Sequence, residues 1–404
     1  MKIKNCRSCN SKNLINILSL GYQYLSDFVK VNRKPKSFPL NMILCKNCFL
    51  VQLDFSVPSK YLYNERYGYK SSINQTMREE LKEIAQKSLK KIKKTKNKII
   101  AVDIGANDGT LLKNYPKSVY RIGVEPITKF ANEAKKHSNK VINDFFTLES
   151  FNKNLKNIKA DIVTIISCFY DMEKPNKFIS DVKKIMKEDG ICIIQQNYLV
   201  GMLKLNAFDN IVHEHLEYYS LLSLSNLLDK YDLEVFDVEL RELNGGSFRT
   251  YIGFKGKRKI TKAVEKLNKY ENEINLNKKT IYLDFAKRIK NNKKKLFEFI
   301  KKENEKGKTF YLYGASTRGN TLLQYFKLNN KLIKKAVERN PEKWGKIIAS
   351  VGIPIISEEE ARKDKPDYLL VLPWFFKKEF LKREKKYLDN GGHFIFPLPK
   401  FEII

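Results

Sequence analysis

An α/β architecture is predicted for this 404-residue chain by two observations. From residue 98 onward, short β-branched strands alternate with helical periods, and two such runs each turn through glycine toward a helix. A third observation places a separate lobe ahead of them. Cys6 and Cys9 in CRSCN, with Cys45 and Cys48 in CKNCF, form two CxxC knuckles whose four thiolates complete the closed tetrahedral shell of structural zinc. The expected organisation is a zinc-binding lobe over residues 1–75, a Rossmann-like unit over 76–257 and a second Rossmann-like unit over 258–404.

In the lobe, the apolar runs FPLNMILC and FLVQLDF read as strands bracketing the metal. A site made only of thiolates has no open coordination position, so it organises structure and leaves the chemistry elsewhere. A disulfide framework would need an oxidising compartment. The N-terminus MKIKNCRSCN has no apolar signal stretch and no later run is long enough to span a bilayer, so the expectation is a cytoplasmic protein without membrane contact. The net charge of +32 raises the question of a nucleic-acid partner. The lysines are spread along predicted helix faces, as in KSLKKIKKTKNK and KRIKNNKKK, rather than grouped with aromatic platforms, which makes such a partner unlikely.

The aromatic segment YLYNERYGYKSSINQTM leads into a lysine-rich helix from about residue 76 to 95. Strand KIIAV then runs into Asp103, Gly105, Asn107, Asp108 and Gly109, and a helix is expected to begin at TLLKNY. Glycine at a strand-to-helix turn lets backbone approach a ligand, and a helix N-terminus supplies free amides. Glu125 ends the next strand, IGVEP, where a carboxylate can hold both hydroxyls of a ribose. The glycine spacing is not GxGxxG, which disfavours a pyrophosphate at this loop. DIGANDG and GVEP resemble motifs I and II of class I S-adenosylmethionine methyltransferases. Asp144 and Phe145 in INDFF fall where such enzymes contact adenine.

Further on, NAFDNIVHEHLEYYSLL places His213, Glu214 and His215 between a loop and a helix. H-x-H without a third nearby candidate is weak zinc evidence, whereas an imidazole beside a carboxylate suits acid–base work near neutral pH. The ordered series of CxxC pair, YGYKSS, DIGANDGT, GVEP, NDFF, HEHLEYYSL, NGGSFR and YGASTRGN resembles the zinc-containing sugar-nucleotide C-methyltransferases over nearly the whole chain. The resemblance implies transfer of a methyl group from S-adenosylmethionine to a carbon of a keto sugar on a nucleoside diphosphate. In that reading His215 is the base, Glu214 orients it or binds a sugar hydroxyl, and His213 is a second base or a support. Tyr69 and Tyr67 match the tyrosines that reach the sugar. Two positions depart from the family pattern. Val212 replaces a tyrosine before HEH, and Asp171 stands where a histidine is usual, so Asp171 becomes a candidate acid–base group. An O-methyltransferase acting on a sugar nucleotide is the alternative, and a nucleic-acid methyltransferase a more distant one, since no [DNS]PP[YFW] loop follows the fourth strand.

A long helical connector is expected over about residues 259–306, with Leu267, Ile274, Ile281, Phe285 and Ile289 at helical intervals. Strand TFYLYG follows, ending at Gly314, with Ser316, Arg318 and Asn320 at the start of the next helix as candidates for a sugar-nucleotide phosphate. Asn244, Gly245 and Gly246 mark a hairpin or a close substrate approach, and Arg249 beside them is a further phosphate candidate. Cys168 and Cys192 read as packing residues in apolar strands. A monomer or weak homo-oligomer is expected.

Overall fold

Leu14–Tyr24, buried at Ile17, Leu20 and Gln23, and Ser37–Cys45, buried throughout from Met42 to Cys45, pair antiparallel, from Leu14 opposite Cys45 to Tyr24 opposite Ser37. Val51–Leu53 extends this sheet, and its last strand, Glu217–Tyr218, arrives from the middle of the chain. The computed structural model describes residues 1–31, 33–62, 69–93 and 97–404.

The second sheet has seven strands. Ile100–Ile104 lies near its centre, with Tyr120–Val124 and Lys140–Ile142 on one side and Ala160–Ile166 and Met186–Asn197 on the other, all parallel. Ile100–Ile104 and Ala160–Ile166 are almost continuously buried, as parallel strands covered on both faces must be. Ser247–Phe254 and Leu233–Arg241 close that side antiparallel. Strand order reverses beside Ile100–Ile104, which opens a crevice at the carboxyl ends of the strands.

The third sheet repeats the scheme. Phe310–Tyr313 pairs parallel with Lys335–Val337, then Ile353–Ile356, on one side, and with Tyr368–Val371, then His393–Phe396, on the other. Its far edge carries Ile347–Ile348 and, from the N-terminal lobe, Phe28–Val29. The lobe thus receives a strand from the central unit and gives one to the C-terminal unit.

The lysine-rich helix runs Gln75–Lys91, capped by Asn74, whose side chain accepts the Met77 amide. The connector forms two helices, Lys262–Glu273 and Lys279–Glu305, separated by Asn275 at φ 57°. No α-helix starts at Thr110. Only a 3-10 turn, Leu112–Asn114, follows the glycine loop, because Pro116 forces its neighbour Tyr115 into extended backbone and Asn114 turns its side chain back to the Thr110 carbonyl. Among the described residues no helix is long and apolar enough to cross a membrane.

Candidate active site

The two knuckles fold alike. Asn10 N–H bonds Cys6 O and Phe49 N–H bonds Cys45 O, with Asn10 and Phe49 both in left-handed backbone at φ 61° and 60°. This brings Cys6 Sγ within 3.6 Å of Cys48 Sγ and Cys9 Sγ within 3.4 Å of Cys45 Sγ, and all four sulfurs within 4.8 Å of one another. A tetrahedron with Zn–S bonds of about 2.3 Å has sulfurs about 3.8 Å apart, so the cage fits zinc. Gln52 Nε2 donates to Cys6 Sγ at 3.1 Å, a contact that supports a thiolate there.

The crevice of the central sheet holds a cavity of about 380 Å³ whose wall includes Gly105, Asn107, Glu125, Phe145, Tyr69 and Asp171. Glu125 is buried, and its carboxylate is aimed by two backbone amides, Asn107 N at 2.8 Å and Ile127 N at 2.9 Å. Burial raises its pKa, yet the two N–H donors favour the charged form, and lone pairs remain for ribose hydroxyls. At Gly105, φ is 76° and a Cβ would lie 2.9 Å from Cys168 Sγ, so glycine keeps the floor open. Asp103 accepts the Thr164 hydroxyl at 2.6 Å, and burial pushes its pKa up to about 7. The half-exposed Phe145 offers a flat apolar face, and Phe146, which the sequence reading missed, joins it. A pocket with a ribose-type carboxylate, a flat ring and a glycine floor fits S-adenosylmethionine.

Three expected cofactor contacts lie elsewhere. Asp108 accepts Ser72 N and the Thr110 amide and hydroxyl, so its carboxylate ties down the segment after Tyr69. Asn107 assists it, accepting Ser71 N and donating to Tyr69 O. Gly109 is a packing position, where a Cβ would meet Ala134 Cα at 2.8 Å. Asp144 is exposed and accepts its neighbour's amide, Phe145 N. Cys168 belongs to the cavity wall rather than to a strand, while Cys192 is buried in one as expected.

The HEH segment is a turn leading into the strand Glu217–Tyr218, not directly into a helix. His213 is buried and faces the lobe, with Nε2 3.2 Å from Phe38 O and its ring edge-on to Phe38. His215 Nδ1 lies 2.9 Å from Asn210 O. A carbonyl only accepts, so Nδ1 carries the proton and Nε2 keeps its lone pair. The His215 ring packs on Tyr170 at 4.3 Å between centroids, next in sequence to Asp171, and Leu216 N bonds Tyr170 O. Burial holds His215 down to about 3 and His213 to about 4, and raises Glu214. Tyr67 lies outside the described residues.

Three family models match the chain in order: "Putative zinc binding domain" over residues 6–63, "Methyltransferase domain" over 73–238 and "C-methyltransferase C-terminal domain" over 242–399. The chain is an S-adenosylmethionine-dependent methyltransferase that carries a C-methyltransferase domain. It is 28% identical to C-methyltransferase NovU of Streptomyces niveus over 409 aligned positions, covering 100% of this chain and 97% of that protein. Among solved structures, magnesium protoporphyrin IX methyltransferase from Synechocystis PCC 6803 is similar over 47% of this chain and 91% of its own, at 12% identity and a TM-score of 0.36. The mitomycin 7-O-methyltransferase MmcR is similar over 47% and 56%, at 17% identity and a TM-score of 0.35.

In this methyltransferase most of the expected phosphate ligands are otherwise engaged. Arg249 is wholly buried, with Nη2 2.7 Å from Glu80, Nη1 3.4 Å from Glu83 and Nε 2.6 Å from Gln195, so it neutralises carboxylates under the central sheet and cannot meet a phosphate. Arg318 bonds buried Asp209 at 2.7 Å and Asn244 O at 2.7 Å and lies over Phe375, which makes it a strut between the central and C-terminal units. Asn320 is buried between Ser26 and Ser350. Ser316 caps the helix Thr317–Phe326 by accepting Gly319 N, and it lines a small crevice together with Gly314. The Asn244–Gly246 step is a hairpin, pressed on Trp374 and Gly201.

Proposed function

We propose that this methyltransferase transfers a methyl group from S-adenosylmethionine to a carbon beside the ketone of a nucleoside-diphosphate keto sugar, through an enolate. When bound, S-adenosylmethionine supplies a methyl on a sulfonium, a good leaving group, so the acceptor carbon is what the protein has to activate. The observation that carries the reading is convergence. Tyr69 and Asp171 line the same cavity as Glu125 and Gly105, and His215 is packed on the residue next to Asp171. His215 stays neutral through physiological pH with Nε2 free of a proton, the state a base needs to take the α-hydrogen. Its low pKa makes it a weak base alone, and the enolate formed beside it would stabilise the imidazolium. The Tyr69 hydroxyl, from the segment clamped by Asn107 and Asp108 and lining the same cavity, is the donor this reading assigns to the enolate oxygen.

The test is incubation with S-adenosylmethionine and a panel of nucleoside-diphosphate 4-keto sugars, followed by carbon NMR of the product. A new C–CH3 bond adjacent to the carbonyl is expected, and a general base of this kind is worth about 10²- to 10⁴-fold in turnover, lost in His215→Asn. A methyl on oxygen, or no turnover with any sugar nucleotide, would overturn the reading.

A further inference from the structure

Asn210 and Gln196 are buried, and neither the amide nitrogen nor the amide oxygen of either side chain has a hydrogen-bond partner among the described residues. The other buried amide side chains among those residues each make at least one bond, as Gln52 does to Cys6, Gln195 to Arg249 and Asn320 to Ser26. Burying an amide unpaired is costly, so two such side chains point to a partner outside the fold.

Both sit on elements that His215 touches. Asn210 closes the 3-10 turn Phe208–Asn210, and its carbonyl oxygen accepts His215 Nδ1 at 2.9 Å. Phe208 packs on Tyr325 and Phe326, and Asp209 bonds Arg318 and Trp374, so both face the C-terminal unit. A 3-10 turn sends successive side chains out about 120° apart, which turns Asn210 away from those two. Gln195 serves Arg249 on one face of the central sheet, so Gln196 leaves the opposite face. Its strand, Met186–Asn197, packs on the turn Phe169–Asp171, whose Tyr170 ring lies 4.3 Å from that of His215 between centroids.

We propose that Asn210 and Gln196 bind the sugar ring of the acceptor, each pairing with a hydroxyl, and so decide which sugars present a carbon to His215. A primary amide has a donor side and an acceptor side, the complement of a hydroxyl, which also donates and accepts. A phosphate would use the nitrogens and strand the oxygens, and Arg318, the guanidinium beside this turn, is already spent on Asp209. A sugar without the matching hydroxyl leaves a buried amide unpaired in the complex, which is how such a site rejects an analogue. The inference rests on the sugar-nucleotide reading above and adds the groups that read the sugar.

Steady-state kinetics of the full chain test it, with the best 4-keto sugar nucleotide of the panel and its deoxy counterparts, in wild type, Asn210→Leu and Gln196→Met. Each substitution keeps side-chain size and removes the amide. Each is expected to raise KM for the full sugar about tenfold or more, with S-adenosylhomocysteine affinity within about twofold. Removing the paired hydroxyl should cost the wild type about tenfold or more in kcat/KM, and the matching variant less than about twofold further. The Asn210 carbonyl survives in Asn210→Leu, so the acid limb of kcat against pH should stay in place. Unchanged KM in both variants, a moved acid limb, or losses from substitution and deoxygenation that simply add would overturn this inference while leaving sugar methylation standing. Should Asn210→Leu fail to fold, Gln196→Met decides by the same cycle. If no sugar nucleotide is methylated at all, the parent reading and this inference fail together.

Discussion

His213 and His215 stand two residues apart and do different work. His213 spends Nε2 on Phe38 O and its ring on the Phe38 edge, so it fastens the HEH turn to the lobe, whereas His215 keeps an accepting nitrogen. The buried His213 has a folded-state pKa near 4 against about 6.5 when unfolded. As pH falls the unfolded chain takes the proton first, so stability that is complete above pH 6.5 drains away down to pH 4, by about 3 kcal/mol for this group. Urea unfolding at pH 7 and pH 4.5 should show that loss, and His213→Gln, which retains a donor for Phe38 O, should shrink it; an equal loss in the variant would contradict the assignment. Arg249 gives a second residue-scale prediction. Removing its charge leaves buried Glu80 with Arg241 as its remaining guanidinium and Gln195 without its donor, so Arg249→Met should cost about 1.5–3 kcal/mol in urea unfolding without altering the KM for a sugar nucleotide. A raised KM with unchanged stability would restore the phosphate role. These two residues show where sequence legibility ended. HEH and Arg249 were visible as chemistry, but an imidazole facing a carbonyl and a guanidinium facing carboxylates are distinguished from ligands only by partners distant in sequence.

At the level of elements, zinc and the HEH turn are mechanically joined. The Cys45–Cys48 knuckle forms the bend between Ser37–Cys45 and Val51–Leu53, and Val51–Leu53 in turn pairs with Glu217–Tyr218 directly after HEH. Leu53 N bonds Leu216 O at 2.9 Å and Gln52 links the same strand to Cys6. Because a closed thiolate site contributes folding free energy, stripping zinc should raise amide hydrogen exchange over residues 51–53 and 216–218 and leave Ile100–Ile104 protected. Protection unchanged by a chelator that has removed the metal would contradict the coupling. The knuckles and the β-branched strands were legible because their spacing repeats. The strand Glu217–Tyr218 was not, since two residues carry no periodicity, and the helix expected at Thr110 failed because Pro116 stops it.

Across the whole molecule the units exchange strands rather than follow one another like beads. Phe28–Val29 of the lobe edges the C-terminal sheet, Glu217–Tyr218 of the central unit completes the lobe, and Arg318 with Trp374 clasps Asp209 across the remaining gap. These crossings hold Tyr69 and His215 in a fixed relation, which a two-substrate reaction needs, since placement of the reacting groups supplies much of the rate. The central claim is that His215 generates a carbon nucleophile before methyl transfer. It is tested most directly by proton NMR of a nucleoside-diphosphate 4-keto sugar in deuterium oxide, with enzyme and S-adenosylhomocysteine present so that no methyl can move. Loss of the α C–H signal, slowed about 10²- to 10⁴-fold in His215→Asn, is the predicted result. Retention of that signal by an enzyme that still methylates the same sugar, at a rate His215→Asn leaves unchanged, would contradict the account.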